Sequence, residues 1–333
     1  MYFSFIIPVY NRPEEIDELL ESMSYLQYNE PFEVVIVEDG STLASDQVIA
    51  NYNDTLAISY YVKKNTGPGD SRNYGMQKAR GEYFLILDSD VILPSNYLLE
   101  VASFLKKEYV SCFGGPDDAH ADFTALQKAI NYSMTSYLTT GGIRGKKKVV
   151  DKFQPRSFNM GLSKEAFLAS QGFGNIHPGE DPDLTIRLWK LGYHTAFIPE
   201  AKVFHKRRIS WKKFFQQVKK FGLVRPILTK WHPETSKITY WFPSVFILCS
   251  IVALVLLLFG VQFPVYVLLL YIIGIFIEAT LKNNSVRIGS LAIIAVGIQF
   301  YGYGTGFLQS YFKIHLLHKN PETTFPKLFF RKK

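Results

Sequence analysis

Three acidic pairs hold most of the chemistry this chain could perform. Asp88 and Asp90 sit one residue apart where the apolar stretch "EYFLILDSD" ends, Glu38 and Asp39 close "VVIVEDGS", and Glu180 and Asp181 stand in "GEDPDLTIRLWKLG". In an extended segment, residues two apart share a face. Two carboxylates roughly 5 Å apart then repel by about 3 kcal/mol at an effective dielectric near 20. A hard divalent cation with oxygen ligands, Mg²⁺ or Mn²⁺, relieves that repulsion, because it needs only one or two carboxylates and takes its other ligands from phosphates and water. The competing reading makes one aspartate the N-cap of a helix over "PSNYLLEVASFLKK" and the other a turn residue. For the third pair the plain alternative is helix initiation, since Asp181, Pro182 and Asp183 suit the first turn of "PDLTIRLWKLG".

These residues need elements to carry them. The first 110 positions or so alternate between strand-like and helix-like stretches: "YFSFIIPVY", "FEVVIVEDGS", "AISYYVKK" and "EYFLILDSD" read as strands, with amphipathic helical segments between them, the first opened by Pro13. This alternation predicts an α/β fold with a mainly parallel sheet and helices on both faces. Ligands of such sheets bind beyond the carboxyl ends of the strands, where Glu38, Asp39, Asp88 and Asp90 fall. The glycine-rich "NTGPGDSRN" before a helix start suits close approach to a ligand.

Composition changes near Tyr240. Three apolar runs, 241–260, 261–281 and 288–312, fill most of the remaining chain, and the first is uncharged and about 20 residues long, enough to cross a bilayer. Residues 1–205 are therefore expected to form a catalytic domain, 206–237 a basic interfacial segment, 238–312 a transmembrane region and 313–333 a basic tail. "KVFHKRRISWKKFFQQVKKFGLVRPILTKWH" mixes cations with aromatics just before the first run, as an interfacial helix on anionic lipid would. Basic and aromatic residues also suit nucleic acid, but the adjacent spans favour lipid and no nucleic-acid partner. The net charge of +8 is concentrated there, and the positive-inside rule places this segment and the preceding domain in the cytoplasm of a multi-pass membrane protein. Cys112 and Cys249 lie far apart and form neither a disulfide framework nor a metal cluster. The apolar N-terminus lacks a basic start and reads as a strand rather than a signal peptide. Three full crossings would put the basic tail outside, against the same rule. Either the third run is re-entrant, broken at Gly302, Gly304 and Gly306, or the charge bias is overridden. A basic loop over 141–157 reads as a solvated turn or a lid over an anionic substrate.

"FIIPVYNRPEEIDELLESM", "VVIVEDGST", "NTGPGDSRNYGMQKARGEYFLILDSD" and "SFNMGLSKEAFLASQGF" followed by "GEDPDLTIRLWKLGYHTAFIPEAKVFHKRR" together resemble family 2 glycosyltransferases of the GT-A fold, over about residues 3–225. The resemblance implies a nucleobase contact at Asp39 with Pro8, Tyr10 and Glu38 walling the same pocket, and a nucleotide contact at Arg72. It implies a metal motif at Asp88 and Asp90, with Asp88 also on the donor side, and a late histidine, His205, near metal or diphosphate. It makes Asp181 the general base with Glu180 in support, and points to Asn159, Arg187 and Trp189 for the acceptor side, although Trp189 also suits plain packing. The sequence departs from the common pattern at Asp70, where a small residue is frequent.

The implied activity is an inverting, metal-dependent transfer of a sugar from a nucleotide-sugar donor, UDP-linked by preference, to a hydroxyl of a lipid-linked or cell-envelope glycan. A polyprenyl-phosphate acceptor arrives already ionised and needs no base, so the "GED" motif favours the hydroxyl. Transfer to polyprenyl phosphate is the alternative, and a non-catalytic sugar-nucleotide or lipid-binding scaffold the second. A processive synthase fits less well, with few apolar runs and no clean Gln and Arg flanking Trp189.

Overall fold

In the computed structural model, residues 1–118, 123–140, 153–205 and 210–330 are described. Most of the basic loop expected over 141–157 and the final Arg331, Lys332 and Lys333 lie outside them.

In chain order the elements are β1 (Phe3–Val9), α1 (Pro13–Ser24), β2 (Phe32–Asp39), α2 (Asp46–Ala50), β3 (Ile58–Lys63), α3 (Pro68–Lys78), β4 (Tyr83–Leu87), β5 (Val91–Ile92), α4 (Tyr97–Lys107), β6 (Cys112–Gly114), β7 (Asp117–Asp118), α5 (Ala125–Thr135), α6 (Tyr137–Thr140), β8 (Asn159–Ser163), α7 (Lys164–Ser170), α8 (Glu180–Lys190), β9 (Thr195–Phe197), β10 (Val203–His205), α9 (Trp211–Trp231), α10 (Phe242–Leu258), α11 (Phe263–Asn283) and α12 (Val286–Tyr311). They form two compact units. One comprises Met1–His120, Lys147–Lys206 and Phe329–Lys333, the other Ala121–Lys146 and Arg207–Leu328.

The first unit holds a seven-stranded sheet in the order β3-β2-β1-β4-β8-β6-β9. The strands β3, β2, β1 and β4 run parallel, and β8 is antiparallel to both β4 and β6. Near-continuous apolar runs such as "FSFIIPV" are what a sheet covered on both faces requires. Alternate residues divide between two cores. Phe5, Ile7, Val34, Ile36, Leu85 and Leu87 join Ile16, Leu19 and Leu98 on one face, while Ile6, Val35, Val37, Phe84 and Ile86 join Met76, Phe167 and Leu184 on the other. This is the α/β architecture that the alternation predicts.

The strand carrying the two aspartates is shorter than the pattern suggests. It stops at Leu87, and Asp88, Ser89 and Asp90 form a turn leading into β5. Alternation of side chains along a strand therefore does not set their directions. β5, β10 and β7 form a separate three-stranded sheet, which lays the backbone of His205 opposite Val91, next in the chain to Asp90.

The second unit contains three helical stretches long and apolar enough to cross a membrane, Ile238–Leu258, Phe263–Asn283 and Val286–Leu316. They match the three expected runs to within a few residues. α12 is continuous through its glycines, so no break occurs at Gly302, Gly304 or Gly306. Those positions instead allow close packing: a Cβ on Gly306 would lie 2.5 Å from the Lys219 carbonyl oxygen of α9, and one on Gly304 3.0 Å from Pro243 of α10. α9 lies within the 206–237 stretch, with Phe214, Val218 and Ile227 buried and Lys212, Lys213 and Lys220 exposed.

Candidate active site

The carboxyl ends of β2, β3 and β4, the start of α3 and the start of α8 converge on one constellation. Asp39 ends β2 beside Lys63 of β3, its partner in the parallel register. Its Oδ1 accepts from Lys63 Nζ at 2.6 Å and from the Thr66 N–H at 2.9 Å, and its Oδ2 from the Gly67 N–H at 2.9 Å. Asp39 thus pins the glycine-rich loop. Gly67 has φ +94°, a left-handed value that favours glycine, and it caps α3. Asp70, the departure from the family pattern, accepts from Thr66 Oγ1 and lies 3.2 Å from Lys63 Nζ, so Lys63 is shared between two carboxylates. Glu38 is buried and latches the loop after β2, accepting from the Ser41 hydroxyl, the Ser45 N–H at 3.1 Å and the Tyr60 hydroxyl at 3.0 Å. Pro8 is half-buried in β1, and Tyr10, just past its end, is half exposed.

Arg72 of α3 joins the other two motifs. It is buried, donates from Nη2 to Asp88 Oδ1 at 2.7 Å and from Nη1 to Glu180 Oε1 at 3.3 Å, and stacks over the Phe173 ring at 5.4 Å. Its Nε is enclosed without a partner. Asp90 pairs with Arg12 at 3.2 Å. Neither Arg12, Lys63 nor Phe173 was expected in the site; only Lys63 was discoverable beforehand, from the parallel register that sets it beside Asp39. Among the described residues no group of three acidic, histidine or cysteine side chains forms a ready metal cage. The chemistry of the donor set nevertheless suits a hard cation. Asp88 and Asp90 are oxygen donors whose side chains are 35% and 18% exposed, and each already has a cationic partner.

α8 begins at Glu180 with Gly179 as its N-cap and no side-chain cap. Asp181 therefore lies inside the first turn rather than at the cap. Glu180 Oε1 lies 2.8 Å from His177 Nδ1. Burial pushes the Glu180 carboxyl up, but His177 and Arg72 outweigh it and hold it below its ordinary value. Asp181 is the opposite case: burial first, then the neighbouring Glu180 charge, raises it to about 6, partly offset by Arg72 and Ser157. Its Oδ1 is enclosed and has no hydrogen-bond partner. Two adjacent carboxylates driven in opposite directions are the pattern expected when one stays ionised and the other exchanges protons near neutrality.

The other expected acceptor residues are engaged inside the domain. Asn159 is fully buried, donating to the Ala201 carbonyl at 2.7 Å and accepting from Tyr97 at 2.8 Å. Arg187 pairs with Asp183 at 2.9 Å and donates to the Ser170 and Gly172 carbonyls, closing the end of α7. Trp189 donates to Thr195 at 3.0 Å. The Arg187 and Trp189 contacts hold α8 to its neighbours.

Residues 4–167 match the profile described as glycosyl transferase family 2. Residues 4–167 belong to that family. Poly(ribitol-phosphate) beta-N-acetylglucosaminyltransferase TarS of Staphylococcus aureus is 35% identical over 112 residues, 33% of this chain and 20% of the relative. A poly(ribitol-phosphate) beta-glucosyltransferase of Bacillus spizizenii is 33% identical over 111 residues, 32% of this chain and 18% of the relative. The matched segment thus spans about a fifth of these curated relatives. Among solved structures, the Pyrobaculum calidifontis mannosyltransferase PcManGT, in complex with GDP-Man and Mn²⁺, superposes with a TM-score of 0.56 at 16% identity, covering 90% of this chain and 86% of that one. The structure of Staphylococcus aureus TarS gives 0.51 at 17% identity, covering 93% of this chain and 55% of that one. The family 2 domain therefore has the GT-A fold, with apolar C-terminal helices appended.

Proposed function

We propose that this glycosyltransferase is membrane-anchored and moves a sugar with inversion from a nucleotide-sugar donor, UDP-linked by preference, to a hydroxyl of a lipid-linked or cell-envelope glycan. The observation that carries the reading is Arg72 spanning Asp88 and Glu180, which draws the two acidic motifs into one place beside an unpartnered Asp181 oxygen.

In this reading Asp181 takes the proton of the acceptor hydroxyl as it attacks the anomeric carbon from the face opposite the diphosphate, so the configuration inverts. Its raised pKa suits a base working near neutral pH. Glu180, kept ionised by His177 and Arg72, supplies the negative charge that helps raise Asp181. Asp88 and Asp90 are the residues that would hold Mg²⁺ or Mn²⁺, a role the pairing of the His205 backbone with Val91, next to Asp90, supports extending to His205; such a cation would neutralise the departing diphosphate. Tyr10 offers an exposed ring at the strand ends, and Asp39 orders the loop that faces the donor. The three long apolar helices anchor the enzyme, and the lysines of α9 suit anionic lipid on the cytoplasmic side. The relatives named for poly(ribitol-phosphate) support an envelope polymer as the acceptor class.

The test is a panel of nucleotide sugars supplied to the purified full chain in lipid, with and without chelator, alongside Asp181→Asn. Transfer that is metal-dependent and lost in Asp181→Asn is expected. Transfer to polyprenyl phosphate that survives Asp181→Asn would replace this reading with the alternative.

A further inference from the structure

Phe329 and Phe330, which no acidic motif points to, lie against the site. Phe329 pairs antiparallel with Ile176, and the Phe330 N–H donates to the Asn175 carbonyl at 2.9 Å. Both links belong to the catalytic unit. The Phe330 ring then reaches two neighbours. It lies against Gly67, where a Cβ would come within 2.3 Å of a ring carbon, and its centroid is 6.0 Å from that of the His177 imidazole. Gly67 is the loop residue held by Asp39, and His177 is the partner of Glu180. The ring also walls a narrow cleft with Thr66, Asp70, Asn73 and Asn175.

We propose that Phe330 is a positioning residue. One rigid ring wedges between the loop that Asp39 pins and the loop that presents His177 to Glu180, and so fixes the spacing of the donor and base sides. This rests on the glycosyltransferase reading. Loops without such support sample positions away from the productive geometry, and displacement of about 1 Å costs up to about a hundredfold in rate. In the full chain, Phe330→Ala is expected to lower kcat/KM about tenfold or more, mostly through donor KM, with Phe330→Tyr restoring it. Amide exchange in the Asn175–Glu180 and Thr66–Gly69 segments should quicken in Phe330→Ala alone. Unchanged kinetics in Phe330→Ala, with Asp181→Asn inactive, would overturn the positioning role and leave the enzyme reading intact. If no sugar nucleotide is turned over by the parent chain, the enzyme reading fails, and unchanged exchange then overturns the wedge as well.

Discussion

Arg72 and Glu180, far apart in the sequence, meet at 3.3 Å in the interior of the catalytic domain. The same guanidinium reaches Asp88 at 2.7 Å. A buried arginine with two carboxylate partners is costly to remove, because both carboxylates lose their compensating charge. Arg72→Ala is expected to lower stability by about 3–5 kcal/mol and to abolish transfer. Arg72→Lys keeps the charge but not the two-armed reach, so it should fold and show a much reduced kcat. Denaturation curves together with initial rates check both statements.

With Asp181 as the proposed base, the acid limb of the pH profile is expected to follow its titration. A base must be deprotonated to act, so kcat should rise with pH and level off above about 6, where Asp181 titrates. Glu180→Gln removes the negative neighbour that helps raise Asp181. The limb should then move to lower pH, even if the maximal rate falls. A limb that stays in place in Glu180→Gln would show that another group sets it.

Lys63 links Asp39, Asp70 and the loop at Thr66. Lys63→Met leaves two carboxylates facing each other without their shared cation. Donor KM should rise about tenfold while the base step is spared, and Lys63→Met with Asp70→Ser should recover part of the loss. Measurement of KM and kcat for the single and double variants decides it, since coupled residues give non-additive effects.

At the opposite end of the sheet, Glu33 is buried and accepts from Ser4 at 2.6 Å and from the Arg80 N–H and Nε at 2.6 and 2.9 Å. Burial raises its carboxyl, but these bonds and the Arg80 charge hold it below its ordinary value. A depressed carboxylate stabilises above its unfolded pKa, about 4.3, and the contribution is lost as pH falls through the folded value. Glu33→Ala should cost about 1–3 kcal/mol near neutral pH and less in acid, without changing donor KM. Urea denaturation at a series of pH values tests this.

Much of the sheet of the first unit was legible in advance. β1, β2 and β4 are read from apolar runs that only a doubly covered sheet can bury, and α1 from Pro13 at its start. That Asp39 and Asp88 lie near one sheet edge follows from strand ends, whereas Glu180 opens α8 and reaches them through Arg72. Arg12 and His177 carried no signal, because their roles depend on loops whose course no periodicity describes. Asn159, Arg187 and Trp189 lie in motifs with the right spacing yet spend their polar atoms on neighbouring elements. Spacing reports position along the chain and not which way a side chain turns.

The amino-acid order by itself determined the α/β alternation, the acidic motifs and the long apolar runs, because strand and helix periods and uncharged length are local properties. Tertiary structure alone decided that Asp88 and Asp90 stand in a turn, that Arg72 joins Asp88 to Glu180, that α12 runs unbroken along α9, and that Phe330 returns to Gly67. Each of these depends on contacts between distant segments, whose energy exists only once the chain has closed on itself.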